Sequence, residues 1–215
     1  PIVIDIAAGA SLTLTEEFAS ARDQQQVIWL RLGRDAQVTH GRNSLSSTPN
    51  HWQFLSVQIN TKGHYSLHNH AVASPLRRQD IQIQLCGDGA SANLCGAAMA
   101  PQRGNLDQQV TMEHLSANTT SQQTFHNIVA DRGKSTFNGR IHIHAGARNS
   151  NANLSNKNIG LGANATINTK PELEIYNDDV SCSHGATIGQ LDNDQLFYLC
   201  SRGVDPNAAR QLLCE

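Results

Sequence analysis

The sequence is short of most features that would place it quickly. Of its 215 residues only five are cysteines, at positions 86, 95, 182, 200 and 214. That odd count, with no Cys-x-x-Cys pair, excludes a structural zinc site of the usual spacing and speaks for reduced thiols rather than a disulfide framework. No apolar run approaches the length of a membrane-spanning helix. Ile2–Ile6 is a short apolar burst broken by Asp5 and does not read as a secretory signal, so a cytoplasmic location is expected. Neither sign of charge dominates: 16 Lys and Arg face 18 Asp and Glu, a net charge of −2. Nothing in that balance attracts nucleic acid or an anionic membrane. Aromatics make up only 5% of the chain, with Trp29 and Trp52 the only tryptophans. Catalytic signatures are missing as well. There is no His-Glu-x-x-His and no Gly-x-Ser-x-Gly. Arg132-Gly133-Lys134-Ser135 ends like a phosphate-binding loop, but Ile128 occupies the place of the required first glycine.

What the chain does have is Gly, Asn, Ser, Thr and Gln, arranged around short alternating apolar runs. Ile2–Ile6, Ser11–Leu14, Val27–Leu32, Gln53–Asn60, Tyr65–Val72, Ile81–Leu85, Ala92–Ala98, Val110–Leu115, Phe125–Val129, Phe137–Ile143, Ile159–Ala165 and Pro171–Ile175 all read as strands. Turn signals separate them, among them Gly-Asp-Gly at 87–89, Asp-Arg-Gly-Lys at 131–134 and Gly-Ala-Arg-Asn at 146–149. No helical period intervenes before Gln190. Strand–turn units of steady size leave two all-β architectures open, a sandwich or a stacked solenoid. After Gln190 the period changes. Asp192 or Asn193 can cap a helix that ends near Gly203, and Asp205-Pro206 places an N-cap before proline at the first position of a second helix.

Several side-chain groups could carry chemistry. Cys182 and His184, two apart on a strand, share one face and would suit a metal or a sulfur species; a small buried cysteine beside a surface histidine fits the same spacing. His64, Ser66, His68 and His70 fall on one face of one strand. Arg140, His142 and His144 fall on one face of another, with Ile141 and Ile143 turned inward. Either histidine row could bind a transition metal or be a solvated outer face. The carboxylate pairs Asp178/Asp179 and Glu172/Glu174 admit an acid–base glycosidase, or simply a turn and a strand in solvent.

Lys-Pro-Glu-Leu-Glu-Ile-Tyr (170–176), Cys-Ser-His-Gly-Ala-Thr-Ile-Gly (182–189), Gln-Leu-Phe-Tyr-Leu (195–199) and Ser-Arg-Gly (201–203), with Phe-Asn-Gly-Arg-Ile (137–141) upstream, occur in an order that resembles the core of the SufB/SufD family, and its SufD branch in particular. These are scaffold subunits of the SUF iron–sulfur cluster assembly system. The resemblance is dense from Phe137 onward and looser before it. It implies a right-handed parallel β-helix over residues 1–190, followed by the truncated start of a helical segment over 191–215. It implies a non-catalytic scaffold that pairs with SufB and works with the SufC ATPase, whose docking helices would lie largely beyond Glu215; a homodimer is also conceivable. No cofactor would be held stably. A transient iron or iron–sulfur species would meet Cys182 and His184 at the subunit interface. The sulfur-receiving cysteine expected of SufB, upstream of Cys182, has no counterpart, since no cysteine lies between Cys95 and Cys182. The competing reading is a β-helix that binds or degrades polysaccharide. Two tryptophans are a thin supply of stacking platforms for that role.

Overall fold

The structure, a computed structural model, describes residues 1–18, 22–45 and 50–214. Fourteen strands come first: β1 (Ile2–Ile6), β2 (Ser11–Glu17), β3 (Gln24–Leu32), β4 (Gln37–Ser44), β5 (His51–Ile59), β6 (His64–Val72), β7 (Arg77–Leu85), β8 (Ser91–Ala100), β9 (Asn105–His114), β10 (Thr120–Ala130), β11 (Lys134–Ile143), β12 (Ser150–Leu161), β13 (Thr166–Ile175) and β14 (Val180–Gln190). Two helices follow, α1 (Asn193–Ser201) and α2 (Pro206–Leu212). Successive strands alternate between two parallel seven-stranded sheets, odd-numbered strands in one and even-numbered in the other. Each strand therefore pairs with the strand two places on, and the chain is a parallel β-helix, the solenoid of the two architectures left open. Register gives the rung length. Ile2 lies beside Ile28, 26 positions on, and Lys134 beside Thr166, 32 positions on.

Alternation fixes which residues fill the space between the sheets. Leu55, Val57 and Ile59 of β5 and Leu67 of β6 are fully buried, while their sequence neighbours face out. Phe125 and Phe137 meet at the centre with ring centroids 5.0 Å apart. Gly96 makes room for them: a Cβ there would stand 2.3 Å from the Phe125 ring.

Where the ends of the even strands face the starts of the odd ones, the interior turns polar. Gln53, Gln79 and Gln108 are register partners on β5, β7 and β9. Gln79 Nε2 donates to Gln53 Oε1 at 2.8 Å and Gln108 Nε2 to Gln79 Oε1 at 3.1 Å. Nearer the N-terminus, His40 sits between the Tyr65 hydroxyl at 2.7 Å and Glu16 Oε1 at 2.5 Å, and Arg42 Nε donates to the same carboxylate at 3.1 Å. Burial opposes ionisation of Glu16, but His40 and Arg42 together outweigh it and hold the carboxyl below its ordinary range.

The turns explain the Asn and Gly content. Along one edge Gly9, Asp35, Lys62, Gly89, Asn118 and Asn149 all take positive φ between 53° and 70°. This is left-handed backbone, which Gly, Asn and Asp tolerate best. Each of these residues donates its N–H to a carbonyl in the next turn, as Asn118 does to Arg148 at 2.9 Å. Side chains repeat the ladder, Asn149 Nδ2 donating to Asn118 Oδ1 and Asn118 Nδ2 to Asp88 Oδ1, both at 2.7 Å. At the C-terminal end, the carboxylates of Asp192 and Asp205 accept from the first N–H groups of α1 and α2, as their spacing predicts.

Candidate functional site at the open end of the solenoid

β13 and β14 are the last strands of their sheets, so each keeps one unpaired edge. Register places Cys182 beside Ala152 and His184 beside Leu154, two residues of the buried interior. Cys182 and His184 thus lie on one face of β14, and it is the inward face. Among the described residues no further rung covers it. Cys182 is half-buried and packs against the core with Leu173 and Val180, while His184 is exposed. Ile175 and Ile188 also occupy inward positions, beside buried Ile143 and Asn158, yet are 44% and 57% exposed. The open end therefore combines apolar residues, two backbone edges and a thiol–imidazole pair. A solvent-facing end of this kind invites pairing with another chain. α1 and α2 do not close it: they line a cleft with Asp131, Leu161 and Gly162, beside the far end of β14.

Burial raises the Cys182 thiol above its ordinary pKa, partly offset by a hydrogen bond from the Ala152 backbone. By itself the group is a neutral thiol near neutral pH. The other cysteines lie elsewhere. Cys86 follows β7, its thiol donating to the Gln84 carbonyl at 3.6 Å. Cys95 is on the outer face of β8, Cys200 on α1, and Cys214 follows α2. Two protein donors on this face fall short of the four that ligate an iron–sulfur cluster, so a partner would have to supply the remainder.

The other groups singled out in the sequence resolve individually. His64, His68 and His70 stand on the outer face of β6, His64 Nδ1 within 2.9 Å of the Ser91 hydroxyl and His70 Nδ1 within 3.0 Å of Asn43 Oδ1. Glu174 is paired with Arg140 at 2.6 Å, and Glu172 with Lys170. Arg132 and Gly133 lie in the turn between β10 and β11, and Lys134 opens β11, so a strand and not a helix follows the motif. Trp29 and Trp52 are exposed in different register columns, beside Ser56 and Arg78 respectively, and form no joint platform. Sequence reasoning overlooked the buried polar ladder, although Gln53, Gln79 and Gln108 recur at the rung spacing. It also overlooked Glu113, which register brings beside His142.

The family model described as "SUF system FeS cluster assembly, SufBD core domain" matches residues 1–215. The chain belongs to the SufBD core family. Its parallel β-solenoid is the SufBD core fold. The chain is similar to the iron–sulfur cluster assembly protein SufD of Escherichia coli, with 33% identity over 98% of this chain and 51% of that protein. A SufBD family protein of Synechocystis is 30% identical over 100% of this chain and 50% of its own length. SufB of Bacillus subtilis is 31% identical over a smaller share, 60% of this chain and 28% of its own. The chain spans about half the length of the first two relatives. The family model's description places SufBD core domains in the SUF system of iron–sulfur cluster assembly. No helix among the described residues is long and apolar enough to cross a membrane.

Proposed function

We propose that this SufBD core is the SufD-type half of a cytoplasmic iron–sulfur assembly scaffold. In this reading it turns over no substrate of its own. It pairs with SufB through the open end of the solenoid, and the SufC ATPase drives the complex. The cluster is cargo, built at the interface, to which Cys182 and His184 contribute while SufB brings the principal thiol. One observation carries the proposal: the thiol and the imidazole lie on an inward face that no rung covers, amid exposed apolar residues and free strand edges. A metal drawn to that face would hold the Cys182 thiol deprotonated and use a neutral imidazole. The sister chain must then supply both coverage and further ligands. The test is anaerobic co-purification of the complete subunit with SufB and SufC, followed by iron and acid-labile sulfide analysis. A stable complex carrying both is expected. A subunit that ignores SufB in sizing experiments would contradict the reading, as would a complex without iron and sulfide.

A further inference from the structure

On the outer face of the odd-numbered sheet, on the two strands next to the terminal β13, three metal-type donors converge. Glu113 lies near the end of β9, His142 near the end of β11, and His144 opens the turn that follows. Glu113 and His142 are register partners on adjacent rungs. One ligand atom from each of the three lies within 4.8 Å of the other two, and all three residues are half-buried. Small side-chain adjustments from that spacing bring the donors to about 2.0–2.2 Å from a shared ion.

Three features distinguish this cluster from an ordinary solvated strand face. The imidazoles of His142 and His144 are stacked with ring centroids 3.8 Å apart, which holds the two rings side by side. His144 Nε2 is sealed from solvent and has no hydrogen-bond partner among the described residues. A buried polar atom left so is costly, and a metal would satisfy it. Glu113 is also held in place. Gln84 Nε2 donates to Glu113 Oε2 at 3.1 Å, and Gln84 Oε1 accepts from Gln58 Nε2 at 3.0 Å. One carboxylate oxygen is thereby anchored through two rungs, leaving Oε1 for a ligand bond. Such outer support is characteristic of metal sites.

We propose that Glu113, His142 and His144 form a mononuclear site for a divalent transition metal of the Zn²⁺ or Fe²⁺ class, with water in the remaining positions. Two imidazoles and one carboxylate suit such borderline ions. Ca²⁺ and Mg²⁺ call for oxygen alone, and Cu⁺ for sulfur. The ligands come from two rungs, so a bound ion staples β9 to β11. The site is independent of the assembly reading: it lies on the outer face of the opposite sheet from Cys182 and His184, and its test does not involve SufB.

The experiment uses untagged protein stripped with chelator and titrated anaerobically with Co²⁺ as the spectroscopic probe, then with Zn²⁺ and Fe²⁺. One equivalent of Co²⁺ is expected, giving visible ligand-field bands without a thiolate charge-transfer band, displaced by Zn²⁺. Zn²⁺ should also raise the melting temperature, by mass action on the folded state. Glu113→Gln, which keeps the size and shape of the side chain, and His144→Ala should each weaken binding by at least about 100-fold, the upper end of what loss of even a supporting residue costs. The double variant Cys182→Ala/His184→Ala should bind as the wild type does. Absence of saturable one-equivalent binding would overturn the proposal. So would binding that survives Glu113→Gln and His144→Ala, or binding lost with Cys182 and His184.

Discussion

His114 makes the fold sensitive to mild acid. It closes β9 facing inward, fully buried, with Nδ1 2.8 Å from the Thr119 hydroxyl and Nε2 2.9 Å from that of Ser121. A neutral imidazole can donate one of these bonds and accept the other. Burial holds its pKa down to about 4, from 6.5 in an exposed histidine. The folded state thus prefers the neutral ring, and the unfolded chain takes up a proton first as pH falls. The stability this contributes is complete above pH 6.5 and is lost progressively as pH drops towards about 4. At about 1.4 kcal/mol per pKa unit the whole effect is on the order of 3 kcal/mol, of which about 2 kcal/mol is gone by about pH 5. His51 and Glu16 also have lowered pKa values, and their losses run in the same direction. The His114 share is isolated by comparison with His114→Gln, which keeps a donor and an acceptor but does not titrate. Urea unfolding of both proteins between about pH 7.5 and 5 should show the wild type losing about 2 kcal/mol more than the variant. Parallel losses in the two proteins would refute the reasoning, and would mean that His114 is protonated without unfolding or reached by water.

Other perturbations probe the stacking of the rungs. A Cβ at Gly87 would stand 2.0 Å from the Thr61 backbone nitrogen; Gly87→Ala should therefore lower the melting temperature sharply in a thermal scan, whereas Gly185→Ala, with nothing within 4 Å, should leave it nearly unchanged. Phe125→Ala empties the centre of the core and should cost about 3–5 kcal/mol in chemical denaturation. Asn118→Ala loses two side-chain hydrogen bonds of the turn ladder and keeps a positive φ that alanine disfavours. Denaturant melts should register a loss of about 1–3 kcal/mol.

Strands were legible where the inward positions are aliphatic. Ile2–Ile6 reads from the sequence with the bounds it has in the fold, and Phe137–Ile143 is the apolar part of β11. β4 was not legible. Its inward residues are Val38, His40, Arg42 and Ser44, and only the first signals a core. The polar interior that accepts the other three is built by partners 9 to 26 residues away, among them Gln53, Glu16 and Tyr65. β12 was read late, as Ile159–Ala165, because its inward Ala152, Asn156 and Asn158 hide the period, while the Gly162 turn ends the strand at Leu161. The shared face of Cys182 and His184 followed from their spacing. That this face points inward and stands open depends on where the solenoid ends, which only the register of β12 with β14 reveals. Glu113 could not be joined to His142 from sequence without the rung length of 29 residues that separates them.

The most direct test of the assembly account is His184→Ala in the complete subunit, co-purified anaerobically with SufB and SufC. The account predicts a complex of wild-type composition and yield that has lost most of its iron and acid-labile sulfide. Cys182→Ala should have an equal or smaller effect, and Cys200→Ala none. A His184→Ala complex with full iron and sulfide, or their loss in Cys200→Ala alone, would contradict it.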